Sequence, residues 1–379
     1  MMRVRFGDVV NDIKVNVDRQ NNPYDIYVAG DHMDSEDLTL HRWGSFASDD
    51  VGPAFIRIFK PGQVLYGSRR TYLKKIVVAP FEGITANTTF VLETKNEDEF
   101  SQRLLPFIML SDDFTEWSIR KSKGSTNPYV LFSDLADYEF DLPSPEEQRR
   151  LADKLWAAYE LKEAYKKMIA ATDEMVKAQF IEMFEGQNYA TKPLAQLISK
   201  SFPGEWGLED KTGNGIKVIR TTNITNDGTL DLTETVTRNI SDTKLQKKLL
   251  KKGDILLERS GGTKDNPVGR VAYFNENDTY VANNFTQTLR SIGDIESYYL
   301  FHFLFYYYKM NKMKIRSMGN QTTGIQNLNM DDYMQIAIPV PPREHQELFI
   351  SIANQAEKSK SELRQAIEKI DRVMKSLMQ

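Results

Sequence analysis

The sequence contains no cysteine, only four scattered histidines, and no long apolar run. Without cysteine there is no disulfide and no thiolate ligand, so we expect no metal site. The longest aromatic stretch, from Tyr298 to Met310, contains a histidine and ends in lysine, and it is shorter than the roughly 20 residues that cross a bilayer. It predicts a buried helix. The N-terminus lacks the apolar core of a signal peptide, so we expect a cytoplasmic protein.

Motifs of catalysis and nucleotide binding are also missing. No Gly-x4-Gly-Lys-Ser/Thr run exists, and the Gly-x-Gly near Gly213 precedes a predicted strand instead of following one. The Asn-Pro-Tyr runs at Asn22 and Asn127 lack the second proline expected of an amine methyltransferase loop. The acids and lysine between Pro203 and Lys211 could be aligned with the carboxylate and lysine spacing of a nuclease, but short acid-lysine runs are common on protein surfaces. The sequence therefore predicts a non-catalytic protein.

The charge is balanced, with 49 basic and 53 acidic residues and a net charge of −4. A whole-molecule positive field is excluded, so any nucleic-acid contact has to come from local patches. The length of 379 residues is enough for two or more domains.

One junction occurs twice. "LPSPEEQRRL", from Leu142, has the same order of proline, acid, glutamine and helix former as "IPVPPREHQELF", from Ile338. The similarity extends upstream, where "GSTNPYVLFSDLADY" aligns with "GNQTTGIQNLNMDDY", "KPGQVLYGSRR" with "KKGDILLERSGG", and "ITANTTFVLE" with "VANNFTQTLR". The repeated unit is about half as long as the chain and occurs in only two copies, so its period is too long and its copies too few for a solenoid. The sequence predicts a pseudo-twofold protein in one polypeptide.

Each copy begins with short β-branched and aromatic runs between Gly, Asn and Asp turns, and ends in a long segment of helix formers. The prolines end a strand and start a helix, and the acids that follow favour the positive helix end. Apolar residues recur three and four apart, as a helix–helix seam requires. A lysine, Lys162, interrupts the first seam, and the second includes Val373. The packing residues that we predict are Leu151, Leu155, Ile169, Val176, Ile352, Leu363, Ile370 and Leu377.

Polar and basic loops occur at equivalent places in both copies. Lys and Arg neutralise phosphates, Arg pairs with guanine, and Asn or Gln pairs with adenine. In the first copy the candidate DNA-binding residues are Arg57, Arg69, Arg70, Lys74, Lys75, Arg120, Lys121, Lys123, Ser125, Thr126 and Asn127. In the second copy they are Arg220, Thr221, Asn223, Arg259, Ser260, Lys264, Asn283, Asn284, Gln287, Arg316, Asn320, Gln321 and Thr322.

With these motifs the chain resembles the DNA-specificity subunit of type I restriction-modification systems over nearly its full length. The likeness is carried by the loop that starts at Gly319, the junction and helix that follow it, and their first-half counterparts. It implies an α+β fold, with two pseudo-twofold-related, β-rich target-recognition domains separated by two long antiparallel helices. The implied segments are domain 1 at 1–142, a spacer helix at 143–186, domain 2 at 187–340 and a second spacer helix at 341–379.

The resemblance also implies the function and the partners. Each domain would read one half of a bipartite, asymmetric target in double-stranded DNA. The helices would dock two methyltransferase subunits and, through the complex, the restriction endonuclease and translocase subunits. No cofactor is expected on this chain; S-adenosylmethionine, ATP and Mg²⁺ are expected on the partners.

Two other functions stay open at this point. A coiled-coil scaffold or adaptor with two ligand-binding, β-rich domains would show the same seams and loops. Copurification with a methyltransferase would argue against it. A self-contained nuclease with a degenerate site would need metal-dependent cleavage by the pure chain.

Overall fold

The computed structural model describes residues 2–263, 266–322 and 325–378, without the side chains of Gln321 and Thr322. The chain divides into two compact units, and unit 1 consists of Met1–Met168 and Glu362–Gln379. Unit 2 consists of Ile169–Ser361. The division falls within the long helices and not at the proline junctions, so each unit contains a part of both helices. None of the described helices combines the length and the apolar character needed to cross a bilayer.

Unit 1 is a mixed α and β structure. Its strands are β1 (Met2–Arg5), β2 (Val10–Asp12), β3 (Ile26–Val28), β4 (Gly44–Ser45), β5 (Phe55–Phe59), β6 (Val64–Gly67), β7 (Ile76–Val78), β8 (Gly83–Ala86), β9 (Thr89–Thr94) and β10 (Glu139–Leu142). Its helices are α1 (Phe6–Val9), α2 (Leu105–Leu110), α3 (Asp112–Lys121), α4 (Phe132–Ala136) and the first part of α5 (Pro145–Phe184). An antiparallel sheet has the order β2-β9-β6-β7, a mixed sheet the order β4-β3-β8-β5, and β1 pairs with β10.

Unit 2 contains the remaining elements. Its strands are β11 (Thr191–Pro193), β12 (Ile198–Pro203), β13 (Leu208–Glu209), β14 (Ile216–Ile219), β15 (Val236–Asn239), β16 (Ile255–Glu258), β17 (Ser260–Gly261), β18 (Val271–Tyr273), β19 (Tyr280–Ala282), β20 (Thr286–Ser291), β21 (Gly319–Thr322), β22 (Ile325–Leu328) and β23 (Ala337–Pro339). Its helices are α6 (Leu194–Leu197), α7 (Asp242–Lys248), α8 (Ser297–Met310), α9 (Lys312–Ser317), α10 (Met330–Met334) and most of α11 (Arg343–Leu377). The sheets have the orders β12-β20-β16-β18, β13-β15-β14-β19 and β17-β22-β21, and β11 pairs with β23.

The strand pairing of unit 2 repeats that of unit 1 in part, since the sheet β12-β20-β16-β18 corresponds to the sheet β2-β9-β6-β7. In unit 1, Leu65 of β6 faces Val91 of β9. In unit 2, Leu256 of β16 faces Thr288 of β20. The sequence repeat aligns these same positions. The parallel pairs β3–β8 and β14–β19 also correspond. The internal repeat read from the sequence therefore has a counterpart in strand order and in register.

Each unit has its own apolar core. Phe6, Tyr66 and Phe114 lie in the core of unit 1, and Tyr299 and Phe349 lie in that of unit 2. The aromatic run that predicted a buried helix forms most of α8, where Tyr299 and Leu300 are fully buried. That prediction is confirmed.

The repeated junction is held by a buried glutamine in each unit. Gln148 Oε1 accepts from the Ser101 amide at 2.9 Å, and its Nε2 donates to the Pro143 carbonyl at 2.9 Å. Gln346 makes the same contacts, accepting from the Glu296 amide and donating to the Pro341 carbonyl, each at 2.9 Å. The glutamine amide supplies both the donor and the acceptor, whereas an ionised glutamate would have no donor. The glutamine fixes the start of each long helix to the turn before α2 or α8.

Within unit 2, the segments of α5 and α11 run antiparallel. The Phe349 ring lies 5.2 Å from Phe180 and 5.6 Å from Phe184 between centroids. Further along, Lys360 Nζ pairs with Asp173 at 2.5 Å. Residue numbers therefore rise along one helix as they fall along the other.

The helix seams agree only partly with the predicted packing residues. Leu155 and Val176 are buried. The other six are partly buried: Leu151, Ile169, Ile352, Leu363, Ile370 and Leu377. Val373 is 55% exposed, and its neighbour Met374 is buried in its place. Its assignment to the seam was wrong. Counted in alternating steps of three and four residues from the buried Gln346, the α11 seam reaches Met374 and not Val373.

Candidate nucleic-acid interface

Two of the candidate loops of unit 1, residues 69–75 and 120–129, form one surface, which we call the unit 1 loop face. Arg69 and Tyr129 form a β-bridge. The Arg70 amide donates to the Pro128 carbonyl at 2.7 Å. Thr71 Oγ1 lies 3.2 Å from Ser122 Oγ. Residues more than 50 positions apart in the sequence therefore contribute to the same face.

The first of these loops has an unusual backbone. Arg70 and Lys74 have φ values of 51° and 46°, in the left-handed region. For a residue with a Cβ this conformation costs roughly 1 to 2 kcal/mol, and such strain is common at functional sites. Lys74 Nζ is held by Glu36 at 3.0 Å and Asp112 at 3.3 Å. Between the two strained residues the loop presents Tyr72, which is 54% exposed.

Some cationic side chains on the unit 1 loop face are available to a ligand. Arg69 is exposed and its guanidinium lies 5.9 Å from the Tyr129 ring centroid. Arg120 and Lys121 both lie over Trp117, at 4.9 and 4.8 Å. Arg70, Ser125, Thr126 and Asn127 are exposed as well.

Other candidates are bound by groups of the protein itself. Arg57 is buried and donates to Asp12 and to the Thr89 carbonyl, each at 3.1 Å, so it does not lie on the loop face. Lys123 pairs with Asp134 at 3.0 Å. The Lys75 ammonium donates to the Gly30 carbonyl.

The carboxylates beside this face are held in their charged form. Hydrogen bonds from Lys375 and Lys74 keep the pKa of Asp112 below its usual range, although partial burial acts in the opposite direction. A hydrogen bond from Lys123 does the same for the pKa of Asp134.

In unit 2 the loop at 259–262 meets the hairpin of β21 and β22 in the same way, and we call this surface the unit 2 loop face. Ser260 of β17 faces Asn327 of β22, and its hydroxyl donates to Asn327 Oδ1 at 2.6 Å. The Leu328 amide donates to the Arg259 carbonyl at 2.8 Å, as the Val130 amide donates to the Ser68 carbonyl at 2.9 Å in unit 1. The face thus joins the loop after β16 to the β21–β22 hairpin.

Several polar candidates of this face are accessible. Asn284 and Asn320 are exposed, and Arg259 and Arg316 are partly exposed. Neither arginine pairs with a carboxylate among the described residues. Gly262 has a φ of 68°, and a Cβ there would lie 2.8 Å from the Val268 nitrogen, so the loop requires glycine.

The other candidates of unit 2 support the loops from within. Asn223 is buried and donates to the Asp231 carbonyl at 2.8 Å. Asn283 accepts from Thr286 Oγ1 at 2.8 Å, and Gln287 donates to Ser201 Oγ at 2.6 Å. The partly buried Arg220 donates to the Glu234 carbonyl at 3.2 Å, and its neighbour Thr221 is partly buried. Lys264 lies outside the described residues, as do the side chains of Gln321 and Thr322.

Exposed aromatic residues on the loop faces were missed in the sequence. Tyr72 is 54% exposed, Tyr129 39% and Phe285 44%. Each lies within three residues of a candidate polar residue, which is the signal that could have identified them. Aromatic rings next to arginines offer stacking surfaces to nucleic-acid bases.

A cluster of possible metal ligands lies elsewhere in unit 1. Ligand atoms of Asp37, His41 and Glu163 all lie within 4.8 Å of one another. Lys166 Nζ lies 2.7 Å from Glu163 and 3.6 Å from Asp37, so a cation already occupies this position. Burial acts to raise the pKa of Asp37, but hydrogen bonds from Tyr159 and the Thr39 amide hold the pKa below its usual range. The cluster is a closed ion-pair network.

Comparison with known proteins identifies one family. Residues 191–371 match the family model for the type I restriction modification DNA specificity domain. The chain is also 22% identical over 187 residues to the EcoDI type I restriction enzyme specificity subunit of Escherichia coli. That match covers 48% of this chain and 40% of the relative, so less than half of the relative's length is matched.

Solved structures share the fold. The S subunit of a type I restriction-modification system from M. genitalium aligns with a TM-score of 0.57 at 12% identity, covering 99% of this chain and 95% of that one. A chain from a structure describing complex assembly and conformational transition of the type I R-M system aligns with a TM-score of 0.57 at 19% identity, covering 100% and 96%.

Proposed function

Residues 191–371 belong to the type I restriction modification DNA specificity domain family, which confirms the resemblance drawn from the sequence, and we propose that the chain is the specificity subunit of such a system. One observation carries the proposal. In both units, the same strand connection joins two distant polar loops into a single face with arginines, amides and an exposed aromatic ring. Arginine and amide side chains of this kind distinguish bases in the major groove.

The two loop faces would each read one half of a bipartite, asymmetric site in double-stranded DNA. In the proposed layout the units are related by a pseudo-twofold axis, and α5 and α11 form an antiparallel spacer between them. A helix the length of α5, with 40 residues, spans about 60 Å at roughly 1.5 Å per residue. That exceeds the roughly 34 Å of one DNA turn. The length supports two separate half-sites with an unread gap.

Partners would supply the chemistry. Two methyltransferase subunits would dock on the long helices, and the endonuclease and translocase subunits would join through them. Adenine methylation with S-adenosylmethionine, and cleavage with ATP and Mg²⁺, would then take place on those partners. The chain itself would act as a non-catalytic reader in the cytoplasm.

The proposal is tested by sequencing the methylome of cells that express the chain with a methyltransferase subunit. We expect methylated adenine in one bipartite motif with a fixed gap. Cells with the methyltransferase alone are the control. A motif that is identical in both cultures would show that this chain does not specify the target.

A second test of the proposal replaces individual residues of the unit 1 loop face. Replacing Arg69 and Asn127 with alanine should reduce methylation of one motif, because both exposed side chains lie on the unit 1 loop face. Each lost base contact costs about 1 to 3 kcal/mol. Replacing the exposed Lys60 and Lys95 with alanine provides a matched control, since neither belongs to a loop face.

A further inference from the structure

A second basic surface lies in unit 2, and we call it the lysine patch. It consists of Lys200 of β12, Lys244, Lys247 and Lys248 of α7, and the following Lys251 and Lys252. Lys200 Nζ donates to the Lys247 carbonyl at 3.2 Å, which brings β12 and α7 together. All of these lysines except the partly buried Lys248 are exposed. The patch stands out in a chain whose net charge is −4.

Several cations of the patch surround one aromatic ring. Lys200 and Lys248 lie 5.0 and 5.7 Å from the Phe202 ring centroid, and Arg290 lies 5.8 Å from it. Burial lowers the pKa of Lys248, and although Glu205 opposes this shift, the neighbouring Lys200 and Lys244 add to it. The positive charges are therefore close enough to repel one another.

The carboxylates nearby neutralise only a part of this charge. Glu205 pairs with Lys244 at 3.1 Å, and Asp254 pairs with Arg290 at 2.7 Å. Within the described residues, no carboxylate pairs with Lys247, Lys251 or Lys252. Three exposed lysines are left to interact with an external anion.

The lysine patch and the unit 2 loop face lie at opposite ends of the same sheet. The loop face begins where Glu258 of β16 faces Thr286 of β20. The patch begins at the other end of β20, where Lys200 faces Arg290. The four residue steps from Thr286 to Arg290 span about 14 Å at roughly 3.4 Å per residue. On a duplex this corresponds to about four base-pair steps of roughly 3.4 Å each.

We propose that the lysine patch binds backbone phosphates of duplex DNA that flanks the half-site read by unit 2. This inference rests on the proposed function. Lysine is depleted in protein–protein interfaces, which need an apolar centre. The large apolar side chains of this segment, Leu245, Leu249 and Leu250, are not exposed. A polyanion needs only charge, so the composition favours the DNA backbone over an acidic protein.

The test measures how DNA affinity depends on salt. Each neutralised phosphate adds about 0.9 to the slope of log affinity against log salt on duplex DNA. In the full chain assembled with a methyltransferase subunit, the triple variant Lys247→Gln, Lys251→Gln, Lys252→Gln should lose up to about 2.7 from that slope. The preferred bases should not change, and the loss should require a duplex that extends beyond the half-site.

The matched control removes the same charge elsewhere. Lys60→Gln, Lys95→Gln, Lys192→Gln replaces three exposed lysines that also have no carboxylate partner among the described residues. Its slope should equal that of the wild type. Thermal unfolding of both triple variants should match the wild type, because the replaced side chains are at the surface.

Three results would overturn the proposal. One is an unchanged slope in the patch variant. Another is an equal loss in both triple variants, which would report net charge only. The third is failed assembly of the patch variant with the methyltransferase while the variant chain alone binds DNA as the wild-type chain does, which would assign the patch to an acidic protein. A wild-type complex without base preference would contradict the proposed function, and the slope on a random duplex would still test the patch.

Discussion

His302 lies in an environment that does not match its chemistry. It is buried in α8, and neither ring nitrogen has a hydrogen-bond partner within the described residues. Its ring packs against Tyr298 at 4.6 Å and Phe349 at 5.1 Å between centroids. Burial, together with the nearby Lys360, lowers the pKa of His302 to about 3. The folded protein therefore holds this imidazole in its neutral form.

His302 should make the protein sensitive to acid. Between pH 6.5 and about 3 the unfolded chain binds a proton at this residue and the folded chain does not, so stability falls as pH falls below 6.5. At pH 5 the loss amounts to about 2 kcal/mol. The Ser101 and Glu296 amides bind the junction glutamines and therefore mark equivalent positions in the two units. Phe107 follows Ser101 by as many positions as His302 follows Glu296, so Phe107 is the unit 1 equivalent of His302. We expect His302→Phe to fold and to lose most of this acid sensitivity, measured by urea unfolding at pH 7 and pH 5.

The reciprocal change provides the control. Phe107 is fully buried, so Phe107→His should introduce a similar loss of stability between pH 7 and pH 5. An unchanged pH dependence in His302→Phe would show that another group controls acid unfolding.

Residue types alone predicted the candidate interface only in part. Arg57, Asn223 and Asn283 have the right side chains for DNA contact but are buried. The partner of Arg57 is Asp12, a residue 45 positions away, and no local pattern reveals that contact. The exposed residues Arg69 and Asn127 were predicted, whereas the exposed Tyr72 between them was not.

At the scale of elements, the lysine that interrupted the first predicted seam has a structural role. Lys162 of α5 pairs with Asp371 of α11 at 2.6 Å in unit 1. In unit 2, Lys360 of α11 pairs with Asp173 of α5 at 2.5 Å. The two pairs occupy positions that the repeat aligns. A single sequence shows a break in an apolar row but not the partner that compensates for it, which is why the seam was predicted with one interruption and one misplaced residue.

These ion pairs suggest where the proposed spacer can be lengthened. One heptad inserted between Met168 and Ile169 and another between Ser361 and Glu362 would lie between the two ion pairs, interrupt neither pair and keep the seams in phase. Seven residues add about 10.5 Å, equivalent to roughly three base pairs. We expect the unread gap of the methylated motif to grow by about three base pairs while both half-sites stay the same.

An insertion out of phase serves as the control for the heptad. Five residues at the same two positions would rotate each seam away from its partner, because roughly 3.5 residues complete a seam repeat. That variant should unfold at a lower temperature and lose methylation. Altered half-site bases in the heptad variant would contradict a spacer role for α5 and α11.

At the scale of the whole molecule, the repeat predicted much of the fold. The alignment of the two copies predicted short strands followed by a long helix in each half, and the proline junctions precede α5 and α11. Strand order and register came only from the structure. The compact units could not be predicted in the same way, because each depends on contacts distant in sequence. Met374 lies in the core of unit 1, and Lys375 pairs with Asp112 at 2.7 Å. The end of the chain thus belongs to the unit formed by its beginning.

This contact determines how a domain exchange should be designed. We expect that replacing residues 1–142 with the corresponding domain of another specificity subunit changes one half-site only, as read by methylome sequencing. The simple exchange replaces Asp112 and the core around Met374, so it should have a lower melting temperature than an exchange that also transfers residues 362–379. Both chimaeras should recognise the same new half-site, because the loop face lies entirely within 1–142. If both half-sites changed, the two units would not read DNA independently, and the assignment of one half-site to each loop face would be wrong.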